Sequence, residues 1–516
     1  MGVFKESRAH ITVFGALLRA RREFGGKKEA ILDADDRVLT YNDMIRASFA
    51  LGSAMKPGTK SGEKVGVLLP TGAGSMLSFF ALLASGRVPA MLNFTAGSRN
   101  LKAAFKAAEI KRVVTAKRFV EIGNLEPLIE KLAPHVEIVY LEDVRDNMTT
   151  KNKIVAVLGS AIPALFAAKT SYKKPAVILF TSGTEGDPKG VALSHKNLVT
   201  NAEQIVAHID ELDSETDIIF NPLPTFHCFG LTGGTLFPLF RGLKVALYPS
   251  PLHVKLIPER IQKVGTTIMF ATDTFISRYA RSAKKGELRG LRFCVCGAEA
   301  VKDETRKHVR KEFDMQILEG YGVTETSPVI AVNQPEANRS GTVGHFVQGM
   351  EHRIEPVPGI PTGGRLFVKG PNVMLGYITT DQPGVIQPTE DGWHDTGDVV
   401  EIDEDGFVAI RGRVKRFANI GGETVSLAVV ENCADAVWPE NQHVALIIPD
   451  SKKGEQIVLM TDCPTANRTD IRTWAQSHGV SELSIPRKVF TVDEIPLLGT
   501  GKVDFTTAGK MLKEML

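Results

Sequence analysis

The residues best equipped for chemistry lie in Phe180-Thr-Ser-Gly-Thr-Glu-Gly-Asp-Pro-Lys-Gly190. The stretch follows an apolar run, Ala176-Val-Ile-Leu-Phe180, and precedes a helical pattern beginning near Ser194. Glycine lets the backbone aim its N–H groups at one point without a side chain in the way. Such a nest around Gly183 and Gly186, with the hydroxyls of Thr181, Ser182 and Thr184 and the cation of Lys189, can cradle a polyphosphate. It is not a Walker A loop, because Lys189 follows Pro188 and precedes Gly190. Taken alone, a flexible surface loop is the competing reading. A second station, Gly320-Tyr-Gly-Val-Thr-Glu325, follows a predicted strand, as does Gly297-Ala-Glu-Ala300. Tyr321 offers a flat face for adenine, Thr324 a hydroxyl for phosphate and Glu325 a hard oxygen for Mg²⁺.

Three further stations carry single groups. Asn221-Pro-Leu-Pro-Thr-Phe-His227 ends a strand, so Phe226 and His227 project from a carboxyl edge, where open α/β sheets bind ligands. A lone histidine is more often structural. Asp398 closes Trp393-His-Asp-Thr-Gly-Asp398, and a carboxylate can accept from both ribose hydroxyls. Lys502, in Pro496-Leu-Leu-Gly-Thr-Gly-Lys-Val-Asp504, reads by itself as a solvated charge on a loop.

In this order and spacing the five stations resemble the adenylate-forming superfamily of acyl-CoA synthetases, luciferases and peptide-synthetase adenylation domains. The resemblance covers nearly the whole chain. It implies an ATP- and Mg²⁺-dependent enzyme with residues 180–190 as phosphate loop and Gly297, Ala298, Glu299, Tyr321 and Gly322 along the nucleotide. It implies that Asp398 holds the ribose with Arg413 beside it, and that Glu325 and Thr184 hold the metal. His227 then lies by the carboxylate pocket, Lys502 is the catalytic lysine that reaches into the cleft, and Lys415 is the hinge of a mobile C-terminal lid. Asn419 stands where many members have Lys. Amino-acid-activating relatives carry an acid beside the Phe226 position; here His227-Cys-Phe-Gly230 follows, which favours an uncharged acyl tail.

Within the superfamily, Gly412-Arg-Val-Lys-Arg-Phe-Ala418, Ile420-Gly-Gly-Glu423, Val425-Ser-Leu427 and Ala271-Thr-Asp-Thr-Phe-Ile-Ser-Arg278 resemble the acyl-acyl-carrier-protein synthetase half of bacterial 2-acylglycerophosphoethanolamine acyltransferases. That likeness implies transfer of a fatty acid, as acyl-adenylate, to the thiol of acyl carrier protein, for fatty acid recycling and phospholipid remodelling. Coenzyme A as acceptor, or a non-catalytic nucleotide-binding protein on this fold, are the alternatives. An acidic carrier protein has a candidate landing site at Arg411, Arg413, Lys415 and Arg416, which can equally be a solvated cluster beside a hinge. His208 and Asp213 have the spacing of an acyltransferase dyad but fall within a predicted helix, and read as coincidence.

The elements that must position these groups alternate strand and helix through residue 318, which predicts parallel βαβ units. Residues 341–410 change to short β runs rich in glycine and proline, a small β subdomain. The expected class is α/β: an AMP-binding domain over 1–411 and a smaller α+β lid over 412–516.

At 516 residues the chain needs more than one core. Its 62 basic and 59 acidic residues leave a charge of +3, which argues against a nucleic-acid binder. Five scattered cysteines without a CxxC pair suit a reducing compartment. Cys294 and Cys296 should share one strand face. No secretory signal and no eighteen-residue apolar run is evident, so a cytoplasmic location is expected, with attachment to the cytoplasmic face of the inner membrane left open. Residues 154–168, uncharged and broken by Pro163, are either a core element or an apolar surface for membrane or lipid.

Overall fold

The computed structural model describes residues 2–181, 187–209, 211–358, 360, 362–420, 423–450, 454–498 and 503–516, with Asn419 by its backbone alone. Two sheets form the large N-terminal domain. In the seven-stranded one, Pro175–Thr181, Val88–Met91, Lys64–Val67, Arg112–Thr115 and Glu137–Tyr140 run parallel. The nine-stranded sheet has a parallel centre of Gln316–Gly322, Phe293–Cys296, Ile268–Ala271, Ile218–Asn221, Lys244–Leu247 and Glu29–Leu32. Every residue of Ile268-Met-Phe-Ala271 and Phe293-Cys-Val-Cys296 is buried, as strands covered on both faces must be. Cys294 and Cys296 do face one side, their sulfurs 3.6 Å apart.

Antiparallel strands finish both sheets, a departure from the all-parallel expectation. The important one is Lys189–Ser194, which folds back on Pro175–Thr181 with Lys189 opposite Thr181. Lys189 therefore opens an antiparallel strand, and only after it does the helix His195–His208 begin, capped by Ser194 and Asn197. Lys189-Gly-Val-Ala-Leu-Ser194 is a short apolar run, and periodicity cannot separate a strand of that length from a helix approach.

The β subdomain is an antiparallel sheet of Glu351–Glu355, Gly364–Lys369, His394–Ile402 and Val408–Arg413 around Leu366, Val368, Val400 and Val408. It does not own the whole of 341–410. His345–Phe346 joins the nine-stranded sheet, and Gly376–Ile378 pairs with Lys189–Ser194 in the seven-stranded one. In the smaller C-terminal domain a five-stranded sheet buries one face under Leu427–Val437 and Arg468–Ser477 and the other under Phe505–Met515. Among the described residues, no hydrophobic core cluster mixes side chains up to Val408 with those from Ala418 onward.

Residues 154–168 are not core. They form the helix Thr150–Ala161 and the turn Pro163–Phe166, in which only Ala156 and Gly159 are buried. Among the described residues no helix is long and apolar enough to cross a membrane.

Candidate active site

Strand pairing brings the ribose candidates together. His394–Ile402 and Val408–Arg413 run antiparallel with Asp398 opposite Arg413, so both side chains stand side by side. Arg413 Nε donates to Asp398 Oδ1 at 3.0 Å, and Tyr321 Oη donates to Asp398 Oδ2 at 2.6 Å. Asp398 is only 3% exposed, and a carboxylate that deep is tolerated because charged and polar donors meet it. Burial, and then the Asp398 charge, push the Tyr321 phenol well above its ordinary range, so it stays a donor. Gly322 is obligatory at its turn: a Cβ there would lie 2.0 Å from the Pro328 carbonyl. Ala298 adopts a left-handed backbone (φ +73°) just beyond the strand Phe293–Cys296, and a side chain at Gly297 would press on the Gly320 carbonyl and the Phe229 ring at 3.3 Å. Glu299 Oε2 accepts from Thr274 N at 3.0 Å and Thr274 Oγ1 at 2.9 Å, so this carboxylate caps the helix Asp273–Ser282.

The phosphate side is built by a residue that sequence reasoning missed. Tyr377, in the strand Gly376–Ile378, donates from Oη to Glu325 Oε1 at 2.7 Å, and Lys189 Nζ lies 5.2 Å from the centre of its ring. Lys189, Tyr377 and Glu325 thus form one line. Thr324 and Glu325 sit in the 3₁₀ turn Thr324–Thr326, tied down by Met374 N donating to the Glu325 carbonyl at 2.7 Å. Burial and the Glu325 carboxylate push the Tyr377 phenol up. Ser182, Gly183, Thr184, Gly186 and Lys502 lie outside the described residues; Thr181 ends its strand opposite Lys189. Among the described residues no cluster of three or more His, Cys, Asp and Glu could cage a metal. Mg²⁺ does not need one, since it is bound by one or two carboxylates and substrate phosphates, which the single carboxylate of Glu325 suits.

The acyl side is apolar. Phe226 is buried against Phe94, and Phe229 meets Phe270 edge to face, the ring centres 5.3 and 5.6 Å apart. His227 is half-buried beside Phe226, and Phe229–Leu236 forms a π-helical segment, a rare form often found at functional sites. Asn221 holds it by donating to the Gly230 carbonyl at 2.9 Å and the Thr235 hydroxyl at 3.0 Å. Burial pushes the Cys228 thiol up to about 12, which disfavours the thiolate. The Glu325 carboxylate adds to that rise, and Glu325 and Asp398 both act on buried His394. The residues expected at the acyl, phosphate and ribose positions therefore share one electrostatic neighbourhood.

A family model described as AMP-binding enzyme matches residues 18–378. The chain belongs to this family. It is therefore a member of the adenylate-forming superfamily. It is 25% identical over 505 residues to the long-chain-fatty-acid–CoA ligase of Salmonella typhimurium, covering 90% of this chain and 89% of that protein. To the mitochondrial medium-chain acyl-CoA ligase ACSF2 of Macaca fascicularis it is 26% identical, covering 95% and 85%. Among solved structures, the anthranilate CoA ligase AuaEII in complex with anthranoyl-AMP superposes with a TM-score of 0.82 at 22% identity, covering 99% and 100% of the two chains. ATP-bound MatB from Rhodopseudomonas palustris does so with 0.81 at 24%, covering 98% and 100%. At such identities these structures speak for the fold.

In this AMP-binding enzyme the expected hinge, Lys415, is exposed in the 3₁₀ turn Val414–Arg416. The basic cluster around it is largely paired within the chain. Arg411 pairs with Glu401 at 2.7 Å, Arg413 with Asp398 at 3.0 Å and Arg416 with Glu431 at 2.7 Å. Three of the four cations are neutralised locally, and adjacency in sequence hid those partners. His208 and Asp213 do not share one helix as expected, because the helix ends at His208; His208 Nε2 bonds the Val332 carbonyl at 2.7 Å, while Asp213 Oδ2 accepts from Thr216 Oγ1 at 2.9 Å.

Proposed function

We propose that the chain is an AMP-forming acid–thiol ligase that activates a fatty acid as its acyl-adenylate and passes the acyl group to a thiol. ATP with Mg²⁺ is the nucleotide. The observation that carries this reading is the convergence of Tyr321–Asp398–Arg413 and Lys189–Tyr377–Glu325 beside an aromatic, uncharged wall. In the first step a carboxylate oxygen of the acid bonds to the α-phosphorus while the bond to pyrophosphate breaks. Asp398 fixes the ribose, Tyr321 the base, and Thr181, Ser182, Thr184 and Lys189 the departing phosphates. Protein groups already held in place need no reorganisation as charge develops. Mg²⁺ held by Glu325 and the nucleotide phosphates supplies charge neutralisation, and Lys502 stabilises the reacting oxygens. In the second step the thiolate attacks the acyl carbon and AMP leaves, after the domain 412–516 has turned about Lys415.

Of the two acceptors, coenzyme A is the better supported. The curated relatives described above are CoA ligases, and the arginines suited to an acidic carrier are already paired. Acyl carrier protein, with recycling and remodelling of lipids as its context, is the second reading and rests on the segments 271–278 and 412–427. Incubation of labelled palmitate, ATP and Mg²⁺ with coenzyme A and holo acyl carrier protein in parallel separates them. Palmitoyl-CoA alone is the expected product. Palmitoyl carrier protein alone would reverse the order, and no pyrophosphate release with any fatty acid would remove the ligase reading.

A further inference from the structure

Five of the sixteen large apolar side chains that are exposed among the described residues lie between positions 154 and 165. Ile154, Val157, Leu158, Ile162 and Leu165 are 44–74% exposed. Scattered exposed aliphatics need no explanation, but a contiguous patch does. The orientation of the helix is the telling feature. A helix recruited for core packing turns its bulky residues inward. The helix Thr150–Ala161 instead buries its smallest, Ala156 and Gly159. Gly159 lies so close to the Phe49 ring that a Cβ would come within 2.7 Å of it.

Apart from Val155 and Phe166, which pack partly buried against the main core, the anchors to the body are polar or small. Asn152 Nδ2 donates to Ser53 Oγ at 2.9 Å, and Arg21 Nη1 donates to the Ser160 carbonyl at 2.6 Å. Thr149 and Asn152 form a capping box at one end, and Pro163 ends the helix at the other. The outward apolar face is thus held rigidly outward.

Charge selects its partner. From Asn147 to Thr184 there is no acidic residue, whereas Lys151, Lys153, Lys169, Lys173 and Lys174 are all exposed. Among the described residues none of the five forms an ion pair, while the upstream acids Asp143 and Asp146 face Lys117 and Arg145. Lys153 and Val157 also line an open groove of about 570 Å³ with Arg37, Arg46, Val38 and Asp43, which adds two cations and one anion to this side. Aliphatics facing outward on a helix that also carries the exposed Lys151 and Lys153 match an interface of acyl chains and anionic headgroups.

We propose that the helix Thr150–Ala161 and the turn Pro163–Phe166 are a docking surface for an anionic lipid bilayer, lying in the plane of its headgroup–acyl boundary. The surface is far from the polar seam of the two domains in sequence and does not depend on which acid or thiol the enzyme uses. Its test needs no turnover. The full chain is floated with vesicles of phosphatidylglycerol mixed into phosphatidylcholine, and with phosphatidylcholine alone. Binding to the mixed vesicles, weakened by salt, is expected. Leu158→Asp with Leu165→Asp should reduce it about tenfold or more, and Lys151→Glu with Lys153→Glu should reduce it about tenfold on anionic vesicles only. Leu252→Asp, another exposed leucine, should leave it unchanged. An unaltered melting temperature in each variant excludes misfolding. The proposal is overturned if the native chain does not float, or if the four patch substitutions have no more effect than Leu252→Asp. It is overturned equally if the patch proves to be covered by a second copy, seen as a dimer that Leu158→Asp with Leu165→Asp separates.

Discussion

The large domain and the C-terminal domain solve opposite problems with the same kinds of residue. In the large domain the charged groups of the site are locked. Asp398 is held by Arg413 and Tyr321, Glu325 by Tyr377, and both strands behind them are pinned by ladder partners. The C-terminal domain keeps its two apolar clusters to itself and meets the rest through polar contacts. Lys302 Nζ pairs with Asp435 at 2.6 Å, Arg281 with Glu440, and Ser426 Oγ donates to the Arg411 carbonyl at 3.4 Å. Exposed ion pairs are worth about 0–1 kcal/mol each, whereas a shared hydrophobic core holds domains together far more strongly. The lesson is that the charged groups are fixed where strands pair, whereas the smaller domain meets the rest without a shared apolar core.

Predictions follow that contrast from the largest effect down. Lys502→Ala, in the C-terminal domain, should lower pyrophosphate release roughly a hundred- to thousandfold while leaving the melting temperature within a degree or so of native. Unchanged release would mean that the smaller domain carries no part of the first step. In the large domain, His195 accepts a hydrogen bond from Val13 N at 3.1 Å through Nδ1, and burial pushes its pKa down to about 4. Above pH 6.5 it is neutral folded or unfolded and contributes nothing to the pH dependence. Between 6.5 and about 4 the unfolded chain takes up a proton that the folded one refuses, so stability falls by on the order of 3 kcal/mol. Denaturant titrations across that range should show the loss, and His195→Gln should flatten it by one proton.

Asp398→Asn leaves Tyr321 and Arg413 facing a neutral amide. It should raise KM for ATP about thirtyfold, equivalent to roughly 2 kcal/mol, with a smaller change in kcat. Equal loss in both would mean that Asp398 acts on the reacting centre and not on the ribose. Tyr377→Phe keeps the ring under Lys189 but removes the donor to Glu325. A decline of several-fold in kcat with an increased Mg²⁺ requirement is expected; an unshifted Mg²⁺ titration would detach Glu325 from the metal. Arg281→Ala with Lys302→Ala removes two ion pairs and should cost about 2 kcal/mol of stability or less, yet change the ratio of thioester to adenylate formation several-fold. A large fall in melting temperature would show that the seam is a structural interface.

Much of this was legible along the chain because it depends on local rules. Buried parallel strands announce themselves as short apolar runs, helix starts as Ser or Thr caps, and a close turn such as Gly320-Tyr-Gly322 as glycine where nothing larger fits. Residue types suggested roles for Tyr321, Glu325 and Lys189, since adenine, metal and phosphate each call for a particular donor set, while Asp398 was singled out by the resemblance of its motif. Tyr377 was illegible because its partners, Lys189 and Glu325, are 188 and 52 positions away and meet it only across a sheet edge. The hairpin at Lys189–Ser194 was missed for a related reason: strand pairing is a long-range choice that a six-residue run does not encode.

What the sequence determined by itself was chemistry and rhythm: an adenylate-forming set of groups on an α/β scaffold, with a smaller α+β unit behind. What only the tertiary structure decided was which charges are already spent and which apolar residues are left over. The arginines around the hinge looked available until their carboxylates came in from other strands and helices. The apolar stretch 154–168 looked fit for a core until Ala156 and Gly159 took the inward face and left the large aliphatics outside. Both outcomes turn on distance through space, because pairing and burial are properties of neighbours that the linear order of residues does not specify.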